Sequence, residues 1–201
     1  MRKPRCHACK HFDCAGGKDC FKIGEETRAL YREDQAIQKA ARAAARVEAR
    51  FYGAATRLEE IALFALEMKM HHLGLVFCTG FKEEAHIVAD MLSTKFKVSS
   101  VCCKCGAVPK KALRLPRVRP EEEESMCNPV GQALLMNRAE VELNILLGLC
   151  VGHDALFNRH AKALVTTFVA KDRVLAHNPV GAVYSPYLKR RLHEGLFAPN
   201  P

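Results

Sequence analysis

The stretch "CHACKHFDCAGGKDC" places Cys6, Cys9, Cys14 and Cys20 at the spacing C-x2-C-x4-C-x5-C, with Gly16-Gly17 available for a tight turn. Thiolates are soft ligands, and four of them suit zinc or an iron–sulfur cluster. The spacing is near that of compact four-ligand zinc knuckles. A bacterial ferredoxin run is tighter and ends Cys-Pro, which this segment does not. Both metals therefore stand open. His7 and His11 could replace a thiolate, but four cysteines already close a tetrahedron.

Six further cysteines follow, at Cys78, Cys102, Cys103, Cys105, Cys127 and Cys150, for ten in 201 residues. Cys150 and His153 stand three apart in "GLCVGHD", a spacing that suits metal ligands or a nucleophile beside a proton carrier. The run "KDR", Lys171-Asp172-Arg173, precedes His177. Lys171 and Arg173 are candidates to hold an anionic substrate. His153, Asp172 and His177 are candidates for acid–base work.

The surrounding pattern predicts what positions them. Residues 1–24 carry almost no apolar periodicity and need a metal to become ordered. From 25 to 52 an Ala-, Arg- and Glu-rich stretch with Leu30, Ile37, Ala40, Ala44, Val47 and Phe51 reads as one long helix. Its stripe is a core face or the seam of a homodimer. "TRLE" at 56–59 is a capping box opening a second helix to about Met70. Strands are expected at 73–78, 97–103, 143–150 and 164–170. Helices are expected at 81–96, 128–139 and 153–161, with a further Asn-Pro helix start at 177–185. Strands alternating with helices predict an α/β fold: a small parallel four-stranded sheet flanked by helices, with an N-terminal Cys-rich metal-binding segment. The domains follow as a 1–24 metal- or cluster-binding segment and a 25–201 α/β domain.

On that scheme Cys78, Cys102, Cys103 and Cys150 end strands, Cys105 follows in the loop and Cys127 sits just before the Asn-Pro helix, which puts every internal cysteine on the carboxyl rim, where open α/β sheets bind ligands. Cys78, Cys102, Cys103, Cys127 and Cys150 are thus candidate metal ligands on the sheet rim. Reactive thiols without metal are the alternative, since thiols near helix N-termini are acidified. The one long loop, 104–126, sets five Lys or Arg within 110–119 against the glutamates 121–124. It reads as a solvated loop pairing with itself, with polyanion binding as the other possibility.

Bulk properties exclude some classes. No apolar run reaches 18 residues, so no membrane span is expected, and the N-terminus lacks the apolar core of a secretory signal. A cytoplasmic location follows, and there a disulfide framework is the weaker explanation of ten cysteines. The formal charge of +9 permits nucleic acid, anionic substrates or acidic partners, and ligating thiolates would offset much of it.

The sequence resembles a family of uncharacterised, cysteine-rich proteins of bacteria and archaea described only as metal-binding. The resemblance is carried by "CHACKHFDCAGGKDC", "TRLEEIALFA", "LGLVFCTGFKEEA", "VSSVCCKCG", "MCNPVGQALLMN", "LNILLGLCVGHDALF" and "VAKDRVLAHNPVGAVY". It implies metal binding and a microbial, often anaerobic, setting. By it the nine cysteines other than Cys105 lie at motif positions, as do His153, Asp172 and His177.

These readings converge on an iron–sulfur protein. A four-Cys N-terminal cluster, of the 4Fe-4S kind, would pass electrons inward. A second Cys-rich rim site, holding a second cluster, would carry out redox or sulfur chemistry on a small substrate. An electron-transfer partner is implied. The competing readings are a zinc-knuckle module that binds nucleic acid and a metal carrier without catalysis. Few aromatics near the knuckle stand against the former.

Overall fold

Runs of apolar residues four to six long, each followed by an amphipathic stretch, build strands that cannot leave their backbone unpaired in a core. In the computed structural model, which describes residues 3–195, they pair as one all-parallel sheet. The strands are β1 (His72–Phe77), β2 (Lys97–Cys102), β3 (Leu143–Leu147) and β4 (Leu164–Val169). The α/β fold expected from the alternation is the one observed. The strand order is β2-β1-β3-β4.

The central strands β1 and β3 are buried almost throughout, as their unbroken apolar sequences require. Leu73, Leu75, Val76, Leu143, Ile145, Leu146 and Leu147 form the heart of the core. The edge strands β2 and β4 are more open. Gly74 in β1 admits close packing: a Cβ there would meet Met136, Asn144 and Val141 at 2.8–3.0 Å. The helices of this unit are α3 (Arg57–Glu67), α4 (Lys82–Ser93), α5 (Pro129–Arg138) and α6 (Val151–His160), then α7 (Gly181–Tyr184) and α8 (Pro186–Gly195). α3 opens with the capping box expected at Thr56 and Glu59. α5 begins at Asn128-Pro129, with the Asn128 side chain accepting from the Gly131 N–H.

The chain divides into two compact units, Met1–Ala54 and Ala55–Pro201. The first contains the cysteine segment and two helices, α1 (Gly24–Glu33) and α2 (Gln35–Phe51). The single helix expected over 25–52 is thus broken at Asp34. Its carboxylate accepts the N–H groups of Ala36 and Ile37 and caps α2 as a fresh start. Two further boundaries differ from the sequence reading. β3 ends at Leu147, because Gly148 turns with φ +67, and α6 begins at Val151, with Cys150 as its N-cap residue. The 104–126 loop is more structured than its composition suggests. Pro109 and Ser125 form an antiparallel bridge, and Lys110 pairs with Glu124 at 2.9 Å. Among the described residues no helix is long and apolar enough to cross a membrane.

Candidate functional site

The strand order decides where the internal cysteines meet. From β1 the chain crosses through α4 to β2 on one side. From β3 it crosses through α6 to β4 on the other. The sheet therefore has its switch point between β1 and β3, where the outward paths diverge and leave a crevice at the carboxyl ends. Cys78 directly follows β1, and Cys150 lies three residues beyond β3. Lys171 and Arg173 follow β4.

Side chains from all four strand ends converge there. The Lys171 ammonium donates to Cys78 Sγ at 2.7 Å, and the Cys103 thiol also hydrogen-bonds to it. Together with the Gly80 N–H these contacts hold the Cys78 thiol far below its ordinary range, at about 4, the Cys103 contact contributing most and burial opposing. Cys103 moves the opposite way: its proton is held by the Cys78 sulfur, and burial further disfavours its charged form. The Thr79 N–H reaches Cys103 Sγ at 3.5 Å. The two shifts run in opposite directions, and both residues are buried, Cys78 at 7% exposure and Cys103 at 2%.

A second cation meets a second sulfur, with Arg173 donating to Cys150 Sγ at 3.1 Å. His153, in the first turn of α6, lies within electrostatic range of Cys78. Burial pushes its imidazole below the usual range, favouring the neutral form. Asp172 and His177 serve the turn between the two cations. The Asp172 carboxylate accepts the N–H groups of Val174 and Leu175, each at 2.9 Å. The Asp172 N–H donates to His177 Nδ1 at 3.1 Å. The His177 ring packs on Phe81, with centroids 4.5 Å apart, and Lys171 Nζ lies 5.5 Å from the same ring.

Phe81 is a residue that the sequence reading missed. It lies over Gly148, where an added Cβ would sit 2.0 Å from its ring, so only glycine fits, and the positive φ independently requires it. The faint signal was the Gly two positions before Cys150. Gln132 was also missed. From α5 its amide donates to the Phe77 and Val101 carbonyls, fastening the ends of β1 and β2 together. Cys105 lies beyond β2, where its thiol contacts the Asn128 carbonyl at 3.7 Å and burial raises its pKa. Cys102 and Cys127 are half-buried on the same side.

The first unit carries its own thiol set. Cys6, Cys9, Cys14 and Cys20 are exposed and free, and all four line one cavity of about 610 Å³ with Phe12 and Phe21. Two 3-10 turns, Cys6–Ala8 and Asp13–Gly16, shape it. Phe12 takes a left-handed conformation between them, and its N–H donates to Cys9 Sγ at 3.3 Å. That bond, with a second from His11, lowers the Cys9 thiol. Asp19 anchors the exit, accepting N–H groups from Phe21, Ile23 and Gly24. The donor set fits a four-sulfur metal centre: four thiols open on one concavity, one already receiving an amide hydrogen bond. Among the described residues no three His, Cys, Asp or Glu side chains converge as closely as a single ion requires.

The profile of the family described as "Protein of unknown function (DUF1847)" matches residues 17–168. The chain belongs to the DUF1847 family. The match takes in Cys78, Cys103, Cys150 and His153 and stops short of Lys171–His177. This DUF1847 chain is also 43% identical over 192 residues to the uncharacterized protein MJ0455 of Methanocaldococcus jannaschii, covering 95% of this chain and 99% of the relative. No solved structure matches it.

Proposed function

We propose that this protein is an iron–sulfur protein with two thiol centres, one in each compact unit. In the first, Cys6, Cys9, Cys14 and Cys20 hold a cluster of the 4Fe-4S kind. The observation that carries this is that all four sulfurs line one cavity. When bound there, a cluster supplies one-electron transfer, at a potential set in part by hydrogen bonds to its sulfurs.

In the second unit, the rim thiols carry out redox or sulfur chemistry on a small substrate. What supports this is that two rim cysteines each sit beside a cation. Cys78 meets Lys171, and Cys150 meets Arg173. A thiolate held charged and next to a second thiol is a nucleophile at neutral pH. Lys171 and Arg173 also serve to stabilise a departing anionic sulfur or to hold a substrate carboxylate. Neutral His153 is placed to accept a proton within the electrostatic reach of Cys78. Asp172 and His177 position the two cations through their shared turn. Ten free thiols work in a reducing compartment, so we assign the protein to the cytoplasm.

The test is purification without oxygen, followed by a visible spectrum and assay of iron, zinc and acid-labile sulfide. A brown protein with a broad band near ~400 nm and iron matched by sulfide is expected, lost on changing Cys6, Cys9, Cys14 or Cys20 to Ser. A colourless protein holding one zinc would overturn the iron–sulfur assignment and leave a zinc knuckle in its place.

A further inference from the structure

We propose that Cys78 and Cys103 form a reversible dithiol–disulfide couple that exchanges two electrons with small thiols and disulfides. The inference rests on the rim-thiol part of the proposed function and adds its electron count, its resolving residue and its substrate class.

The geometry begins with sheet register. β1 and β2 are parallel, and Phe77 pairs with Cys102 as the last partners of the ladder. One further step sets Cys78 beside Cys103. Neighbouring strands lie ~4.8 Å apart, inside the Cα separation of ~4.4–6.8 Å that a disulfide spans. The Cys103 sulfur lies 3.5 Å from the N–H and 3.9 Å from the hydroxyl of Thr79, the residue that directly follows Cys78. The two sulfurs are also unequal. Cys78 is the more accessible and its sulfur faces the Lys171 ammonium; Cys103 is the more buried and its sulfur faces the Thr79 N–H. That asymmetry is what an attacking and a resolving thiol require.

The exchange balances in two steps. The Cys78 thiolate attacks one sulfur of a disulfide RSSR. The Cys78–sulfur bond forms, the original S–S bond breaks, and RS⁻ leaves beside Lys171. Cys103 then attacks Cys78 Sγ, with the Thr79 N–H on its sulfur. The Cys78–Cys103 bond forms, and the second R group departs with the Cys103 proton as RSH. The dithiol loses two electrons and RSSR gains them. Two molecules of a small thiol run the sequence backwards, restoring the dithiol and forming RSSR. With Cys78 at 7% exposure and covered by the turn through Thr79 and Phe81, small molecules are the substrates that reach it.

The test uses the full chain, reduced and without oxygen, and peptide-resolved mass spectrometry to keep the other eight cysteines apart. The probe is an aromatic disulfide that releases coloured nitrothiobenzoate. The expected result is a Cys78–Cys103 cross-linked peptide and two equivalents of dye from this pair, reversed by glutathione. Cys103→Ser should stop at a mixed disulfide on Cys78 with one equivalent. A wild-type protein that stops at the mixed disulfide overturns the couple and leaves the rim-thiolate reading intact. A Cys78 that neither takes up the probe nor alkylates with iodoacetamide at pH 6 overturns both.

Discussion

Replacing Lys171 with Met keeps the length of the side chain and removes the charge that sits 2.7 Å from Cys78 Sγ. A hydrogen bond to a charged group contributes ~1.5–3 kcal/mol, which is about 1–2 pKa units at 1.36 kcal/mol each. The sign is upward, because losing a cation disfavours the thiolate. Cys78 in the native protein stands at about 4, held first by the Cys103 thiol and then by Lys171. Lys171→Met should therefore bring it to roughly 5–6, since the Cys103 and Gly80 contacts remain. The assay is the rate of iodoacetamide labelling of the Cys78 peptide between about pH 3 and 8, read as the midpoint of the profile. The plateau above the midpoint should rise ~3- to 8-fold, because a more basic thiolate is intrinsically more nucleophilic. Lys171→Arg, which retains the charge, should leave the midpoint near that of the native protein. A midpoint unmoved by Lys171→Met would refute the assignment of Lys171 as the cation that charges Cys78. A midpoint moved downward would refute the sign of the argument.

Gly148→Ala would force a methyl group to within 2.0 Å of the Phe81 ring at a φ of +67. It should cost ~3 kcal/mol, seen in calorimetry as a fall in Tm of roughly 6–12 °C for a domain of this size. Thr56→Ala should cost ~1 kcal/mol at neutral pH by opening the α3 capping box. The Glu59 carboxyl is held below its usual range by the Thr56 backbone N–H and then the Thr56 hydroxyl. The native box therefore loses its carboxylate half as pH falls through the Glu59 titration, and the gap between variant and wild type in urea unfolding should narrow on acidification.

The sequence by itself determined the parts. Short apolar runs and period-3.6 stretches are local properties, so four strands and the helices between them could be placed within a few residues. Asn-Pro at 128–129 and the Thr56–Glu59 box could be recognised as helix starts for the same reason. The four-Cys segment also stood out by spacing alone, and its four members line one cavity. Boundaries were less legible. One aspartate split the helix over 25–52, because a side chain that can cap is indistinguishable from a solvated one until the backbone bends around it. The carboxyl end of β3 was overrun because Gly148 lies inside an apolar run whose turn depends on the Phe81 ring above it.

Only the tertiary structure decided the pairing of the rim. Cys78 and Cys103 are 25 residues apart, and Lys171 lies 93 residues from Cys78. Nothing in local propensity ranks one such pairing over another. The order β2-β1-β3-β4 does so, setting β2 and β3 on either side of β1. Register then ends with Phe77 beside Cys102, one residue short of Cys78 and Cys103, and the β4 exit brings Lys171 to Cys78. The same geometry sets Asp172 and His177 in one turn by hydrogen bonds and puts Lys171 and Arg173 each on a sulfur. Which thiol is charged is likewise a tertiary property, because it depends on which sulfur faces the ammonium and which is enclosed.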